Sequence, residues 1–498
     1  MPLWQAAALI GVLVAAHAVQ VRSLKRRLGP QRFVLRGKGH RRSLEPDQHD
    51  LEGWRFDLSR PAWPRAALWW PGVAFLAWAV VQVLPLPGAI VDAMSPGRGH
   101  LRMEELQSPY PFSIDTAESL RGILFVASML IMYAGAATLA VHPACRRRFR
   151  AFLAGFGLVL ALVALFQIAV GARRIYGVFM PLESDTFFGV FVNRNHFAAY
   201  MMLCAMAALA LLHRSVQSYR HRLGPRSNRR RQILALGDPE GIRLILAAVP
   251  LPIIAGALIA TTSRGGILSF VGALLLASAA IRGHQQRLPA GVVALLFLAL
   301  PLGWFGFERL EDRFGRIPAE QIGRTAIWRH SLESMSGIWL TGAGLNTFPQ
   351  AISRVLPVRL PLGAAPWPVE VAEAIPARLR IGYRTPERLE GWIWYREAHN
   401  DYVQLAVETG AIGTVIGAWA LVMLGARLRE PWLASGVVGV LTHSTVDFSL
   451  QIPAVAVLFF VMCAYAERTS IREAVRRRRE VPAGSMPSRP VAPVAAFP

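Results

Sequence analysis

"REAHNDYVQLAVETGAIG", residues 396–413, passes in one stroke from a charged stretch into an apolar one, with a histidine at the seam. Its apolar half opens a run over 408–426 that can cross the hydrocarbon layer, which takes about 20 residues. Charge beside hydrocarbon is costly, so Arg396, Glu397, His399, Asn400 and Asp401 read as an interfacial anchor or as a site.

The surrounding chain repeats the pattern. Of 498 residues, 53% are hydrophobic and only 17% charged, too few charges for a soluble domain of this length. Candidate spans lie at 3–21, 66–86, 120–140, 151–170, 195–213, 243–262, 266–281, 288–306, 408–426, 431–448 and 452–467. The expected fold is an all-α polytopic membrane protein with about 11 (10–12) transmembrane helices. The first run lacks a basic segment before it and has a dense one after it, so it reads as a retained span rather than a signal peptide.

The net charge of +23 is almost entirely arginine, Lys25 and Lys38 being the lysines, and reads as membrane topology rather than nucleic-acid binding. Cys145, Cys204 and Cys463 are far apart and give neither a disulfide framework nor zinc spacing. Alternate connections carry the arginines, including "RRRFR" after the third span and "IREAVRRRRE" after the last. With short basic loops kept inside, the amino terminus falls outside and the carboxyl terminus inside.

Five regions follow: 1–65, a first span and basic cytoplasmic loop; 66–306, the first part of the transmembrane core; 307–400, a large periplasmic loop; 401–467, the rest of the core; and 468–498, a basic then Pro/Ala-rich cytoplasmic tail. In the loop, "RTAIWRHSLESM" looks helical with Ile327, Leu332 and Met335 along one face, and Leu356 to Pro386 is proline-punctuated. Long outer loops serve as lids, docking surfaces or active-site walls.

This topology collects polar groups at one depth on the outer side. Asn193, Arg194, Asn195 and His196 sit at the mouth of the fifth span, and Ser263, Arg264 and two glycines in the turn between the sixth and seventh. His399 and Asp401 sit at the mouth of the ninth, and His443 and Asp447, one helical turn apart, near the end of the tenth. Arginine suits phosphate because its planar fork donates two parallel hydrogen bonds and stays ionised. Arg194 and Arg264 also stand at helix starts, where the dipole and unpaired amides favour anions, so the pair suits a pyrophosphate; snorkelling to lipid headgroups is the alternative. His399 can exchange a proton near neutrality, or can simply cap its helix. Asp401, Glu397 and Glu408 are candidates to orient it, and Asp447 with His443 forms either an orienting pair or two caps. Trp392, Trp394 and Tyr395 suit an interfacial aromatic belt or a sugar-stacking face. The small residues from Gly410 to Gly413 should let the His399 segment approach its neighbours closely.

Walker, dinucleotide and HExxH motifs are missing, so no cofactor or metal is called for and the energy for a reaction must arrive in the substrate. The combination of His399, Asn400, Gly410 and Gly413 with "NRNHFAAY" and "SRGG" resembles the superfamily of O-antigen ligases, O-antigen polymerases and protein O-oligosaccharyltransferases. The resemblance covers most of 120–467. It implies a membrane glycosyltransferase of C-type (GT-C-like) architecture in the bacterial inner membrane, with its active site facing the periplasm. The donor would be a saccharide on undecaprenyl pyrophosphate and the acceptor lipid A core, a related glycolipid or a growing glycan. Arg194 and Arg264 would hold the pyrophosphate and His399 would be catalytic. Asn193, Asn195, His196, Ser263, Asn400, Asp401, His443 and Asp447 are expected in support. Within the resemblance a ligase leads, with polymerase or protein transferase as alternatives; an anion transporter would instead favour ionisable groups at the bilayer midplane. The long basic segment from Arg22 to Arg65 and the proline-rich insertion depart from a compact ligase and leave the acceptor open.

Overall fold

The computed structural model describes residues 63–98, 108–172, 174–179, 187–224, 227–281, 325, 327–355 and 396–467. The expected spans at 3–21 and 288–306, the basic segment up to 62, the proline-rich insertion, Trp392, Trp394, Tyr395 and the tail after 467 lie outside the described residues.

The described residues are helical, and extended pairing among them is confined to isolated bridges such as Leu86 with Tyr110. The helices are α1 (Trp69–Val83), α2 (Gly88–Met94), α3 (Thr116–Ala140), α4 (Pro143–Ala169), α5 (Arg194–Leu223), α6 (Arg229–Leu234), α7 (Pro239–Ala248), α8 (Pro250–Ala260), α9 (Arg264–Ala280), α10 (Phe348–Val355), α11 (Asp401–Arg427), α12 (Pro431–His443) and α13 (Pro453–Ala466). Among the described residues, five rods are long and apolar enough to cross a membrane: α3, α4, α5, α7 with α8 taken together, and α11. Shorter apolar helices, α1, α9 and α13, stand beside them.

Several helices outrun the apolar runs that announce them. The expected span 151–170 begins at Pro143, so Arg146 to Arg150 are helical, and the span 195–213 continues to Leu223 through "HRSVQSYRHRL". Arginine is a good helix former, so nothing local stops the helix until Gly224, at φ 74°, ends it. The tenth span, expected to reach 448, ends at His443. His443 and Asp447 are therefore separated by a turn rather than stacked along a helix.

α5 is the central rod. Its stretch from His196 to Ala210 is almost entirely buried, and it packs against α4, α7, α8, α9, α12 and α13. Close approach comes from small residues on its neighbours: a Cβ on Gly157 of α4 would fall 2.7 Å from that of Cys204, and one on Gly439 of α12 2.8 Å from Met202 Sδ. Tight van der Waals packing of this kind drives helix association where lipid removes the hydrophobic incentive.

Two ends of the bundle can be told apart. At one, Glu467 accepts hydrogen bonds from Ala67 N and from the Tyr133 hydroxyl, and Arg427 donates to Arg65 O. At the other end the starts of α5, α9 and α11 meet the end of α12.

The part of the long connection before α11 that is described docks on this second end. Ile114, Ile338, Phe348, Ile352, Ala398 and Val407 share a small core of their own. Residues 327–333 are helical as expected, with Ile327 buried and Met335 packed on this core, but Leu332 is 57% exposed and off that face. Residues 339–344 run along α11 where Gly410, at φ 64° and ψ −166°, breaks it. The break is mended from outside the helix. Ala343 N donates to Val407 O at 2.9 Å and Gly344 N to Glu408 O at 2.9 Å, while Ala411 N donates to Trp339 O at 2.8 Å. From α1, Trp78 Nε1 donates to Thr409 O at 2.9 Å and Gln82 Nε2 to Glu408 O at 2.9 Å. The Gly410 step thus admits the backbone of residues 340–342, the close approach expected of its small residues, with α1 bonded beside it.

Candidate active site

Three helices start at the site end with the same device, a side-chain oxygen accepting from a first-turn amide. Asn193 accepts from Asn195 N at 2.8 Å to open α5, Ser263 from Gly266 N at 3.2 Å to open α9, and Asn400 from Tyr402 N and Val403 N at 3.0 and 3.1 Å to open α11. Arg194 and Arg264 are the first residues of α5 and α9, and both are half-buried. The turn expected to hold Arg264 and both glycines is shorter than that: Thr262, at φ 52°, makes it, and the glycines already belong to α9.

The glycines set how closely the starts approach. A Cβ on Gly266 would lie 2.6 Å from Ala198 Cβ in α5, and one on Gly265 3.0 Å from His443 Cδ2 at the end of α12. Asp401 completes the ring: its N donates to Ser444 O at 3.0 Å and its carboxylate accepts from Leu450 N at 3.2 Å. The four segments singled out in the sequence do converge.

His399 stands at this junction, half-buried, in the left-handed region at φ 52°. That conformation is sparsely populated for a residue with a Cβ and is found where surroundings fix it. Ala398, directly before it, is fully buried; its carbonyl accepts from Trp328 Nε1 at 2.9 Å and its amide donates to Gln404 Oε1 at 3.3 Å.

Behind His399 the Phe448 ring meets two imidazoles edge to face, with centroids 5.0 Å from His399 and 4.6 Å from His196. His196 Nε2 approaches Asp447 Oδ1 at 3.6 Å, too long for a hydrogen bond, and Asp447 Oδ2 makes none. Burial alone would push the Asp447 carboxyl up, but the approach of His196 and the charge of His443 outweigh it and hold it below the usual carboxylate range. His443 Nδ1 is 3.1 Å from Ser449 Oγ. Asp447 therefore faces two histidines, His196 as well as the expected His443.

The carboxylates named as candidates to orient His399 make these contacts. Asp401 ties down 444–451, Glu408 accepts from Asn346 N at 2.8 Å and Gln404 Nε2 at 3.0 Å, and Glu397 pairs with Arg396 at 3.3 Å. Asn195 is half-buried on the first turn of α5. Phe448, Trp328, Gln404 and Asn346 are not among the residues the sequence singles out, and none carries a residue-type signal of chemistry; Phe448 meets His399, Trp328 and Gln404 bond Ala398, and Asn346 bonds Glu408.

Residues 250–418 match the family model described as O-Antigen ligase. This stretch is O-antigen ligase-like. The match supports the superfamily resemblance and a glycosyl-transfer role in the O-antigen or polysaccharide pathway. In this ligase-like stretch lie Ser263, Arg264, His399, Asn400, Gly410 and Gly413; Arg194, His196, His443 and Asp447 lie outside it and reach it through the packing of α5 and α12. Among curated proteins, none matches the chain.

Proposed function

We propose that the protein transfers a saccharide from undecaprenyl pyrophosphate to an acceptor hydroxyl at the periplasmic face of the inner membrane, as an O-antigen ligase-like enzyme acting on lipid A core or a related glycolipid. What supports this reading is the convergence of three capped helix starts, two of them led by arginine, on the end of α12 and the Phe448 ring that His399 packs against. Helix starts favour anions, and two guanidinium forks match a pyrophosphate.

In the reaction the acceptor oxygen forms a bond to the anomeric carbon while the bond from that carbon to the pyrophosphate oxygen breaks. The leaving pyrophosphate keeps the electron pair, and Arg194 and Arg264 stabilise the charge it gains. The acceptor proton passes to the His399 imidazole. Asn193, Ser263 and Asn400 fix the helix starts, and His196, His443 and Asp447 with Phe448 form the wall behind His399. Donor energy suffices, so the mechanism calls on no cofactor or metal.

A broken helix is also a mark of transporters. Here the break at Gly410 is filled by residues 339–344 of the same chain, which supports a fixed scaffold rather than an ion site. The test is His399→Ala in the native host, with the glycans on the carrier lipid sized. Accumulated long chains support a ligase; accumulated single repeat units indicate a polymerase instead, and normal transfer refutes both.

A further inference from the structure

An unbroken run of hydrogen bonds, buried from Glu408 onward, joins the segment before α10 to the amide of Ala398, the residue before His399. Asn346 N donates to Glu408 Oε2 at 2.8 Å, Gln404 Nε2 donates to Glu408 Oε1 at 3.0 Å, and Ala398 N donates to Gln404 Oε1 at 3.3 Å. Gln404 and Glu408 are 4% and 3% exposed and sit one turn apart on the same face of α11. The far end is fixed as well: Asn346 Nδ2 donates to Glu118 Oε2 of α3 at 3.1 Å.

We infer that Gln404 and Glu408 are positioning residues, which transmit the seating of residues 339–348 to the backbone of His399 and hold its imidazole in place for proton transfer. This rests on the proposed role of His399. The run has a direction that chemistry fixes. Glu408 accepts at both oxygens, and Gln404 accepts at its carbonyl and donates at its amide. His399 needs such a hold, because its left-handed backbone would relax if Ala398 were released. Trp328 holds the Ala398 carbonyl, so the two bonds together fix the two peptide planes that flank Ala398, the second of which leads into His399.

The direction supplies the test. In Glu408→Gln an amide nitrogen must face either Asn346 N or Gln404 Nε2, donor against donor, and turning Gln404 over would aim its own amide at Ala398 N. The double variant Gln404→Glu with Glu408→Gln restores all three bonds of the run. The carboxylate introduced at position 404 accepts from Ala398 N and from the side-chain amide introduced at position 408, whose carbonyl oxygen accepts from Asn346 N. A structural preference for charge at 408 would not be rescued by this exchange.

The full-length protein is assayed in vesicles from host cells lacking it, with titrated carrier-lipid glycan extracted from those cells as donor. His399→Ala is the control, and melting temperatures are recorded for every variant. Glu408→Gln should lower kcat at least tenfold with KM within twofold and the melting temperature nearly unchanged, and the exchange variant should recover to within threefold of wild type. Wild-type kcat in Glu408→Gln, a loss the exchange does not recover, or a loss that tracks a fall in melting temperature overturns the inference while His399→Ala is inactive. An active His399→Ala overturns the role of His399 itself, and the relay with it.

Discussion

Gly342 and Gly410 meet backbone to backbone, so that a Cβ built on either would fall 2.5 Å from the amide nitrogen of the other. Both have positive φ, 75° and 64°. No side chain fits between them, and the atoms that would have to move are main chain.

Gly410→Ala should therefore destabilise the protein by at least about 2 kcal/mol, from the left-handed backbone together with overpacking. The measurement is the yield of monodisperse protein after a temperature ramp. An unchanged melting temperature would mean that α11 straightens without loss and that its contact with 339–344 is dispensable.

Arg194→Lys and Arg264→Lys each keep the charge and lose the fork. Each should reduce transfer by roughly tenfold or more, equivalent to about 1.4 kcal/mol of barrier. The readout is initial rate at saturating acceptor. Near-normal rates in both would remove the pyrophosphate assignment.

His399→Asn and His399→Ala separate chemistry from backbone. Both lose the proton acceptor and should lower transfer by about a hundredfold or more. Asparagine tolerates the left-handed conformation better than alanine, so the Asn variant should keep the wild-type melting temperature and the Ala variant should melt lower. Equal melting temperatures would show that φ 52° imposes little strain at this position.

Asp447 is held below the ordinary aspartate value of 3.8, so its carboxylate stabilises the fold above that pH. That contribution is lost as pH falls below it toward the lower folded-state value. The stability gap between wild type and Asp447→Asn, present at about pH 5, should narrow as the pH is taken below about 4. A gap that widens in acid would reverse the sign of the shift.

The polar stations are legible in the sequence because arginine, histidine and asparagine at the edge of apolar runs are costly unless capped, paired or functional, and 193–196, 263–266, 399–401 and 443–447 do come together. Helix ends are less legible. Hydropathy marks where side chains turn polar, whereas α4 already begins at Pro143 and α5 runs on to the positive-φ Gly224. The partners of Asp401 and Glu408 are not legible at all. Which amide a buried carboxylate accepts from depends on Leu450 and Asn346, residues about 50 and 60 positions away whose identity carries no hint of the contact.

The mended break in α11 bears on how the protein is made. Around Gly410, carbonyls of 407–409 and amides of 411–412 have their partners in other parts of the chain. Left unmatched in hydrocarbon, each would cost several kcal/mol. α11 is thus not an autonomous unit of membrane insertion: it can settle only against residues 339–344 and α1, which leave the ribosome before it does.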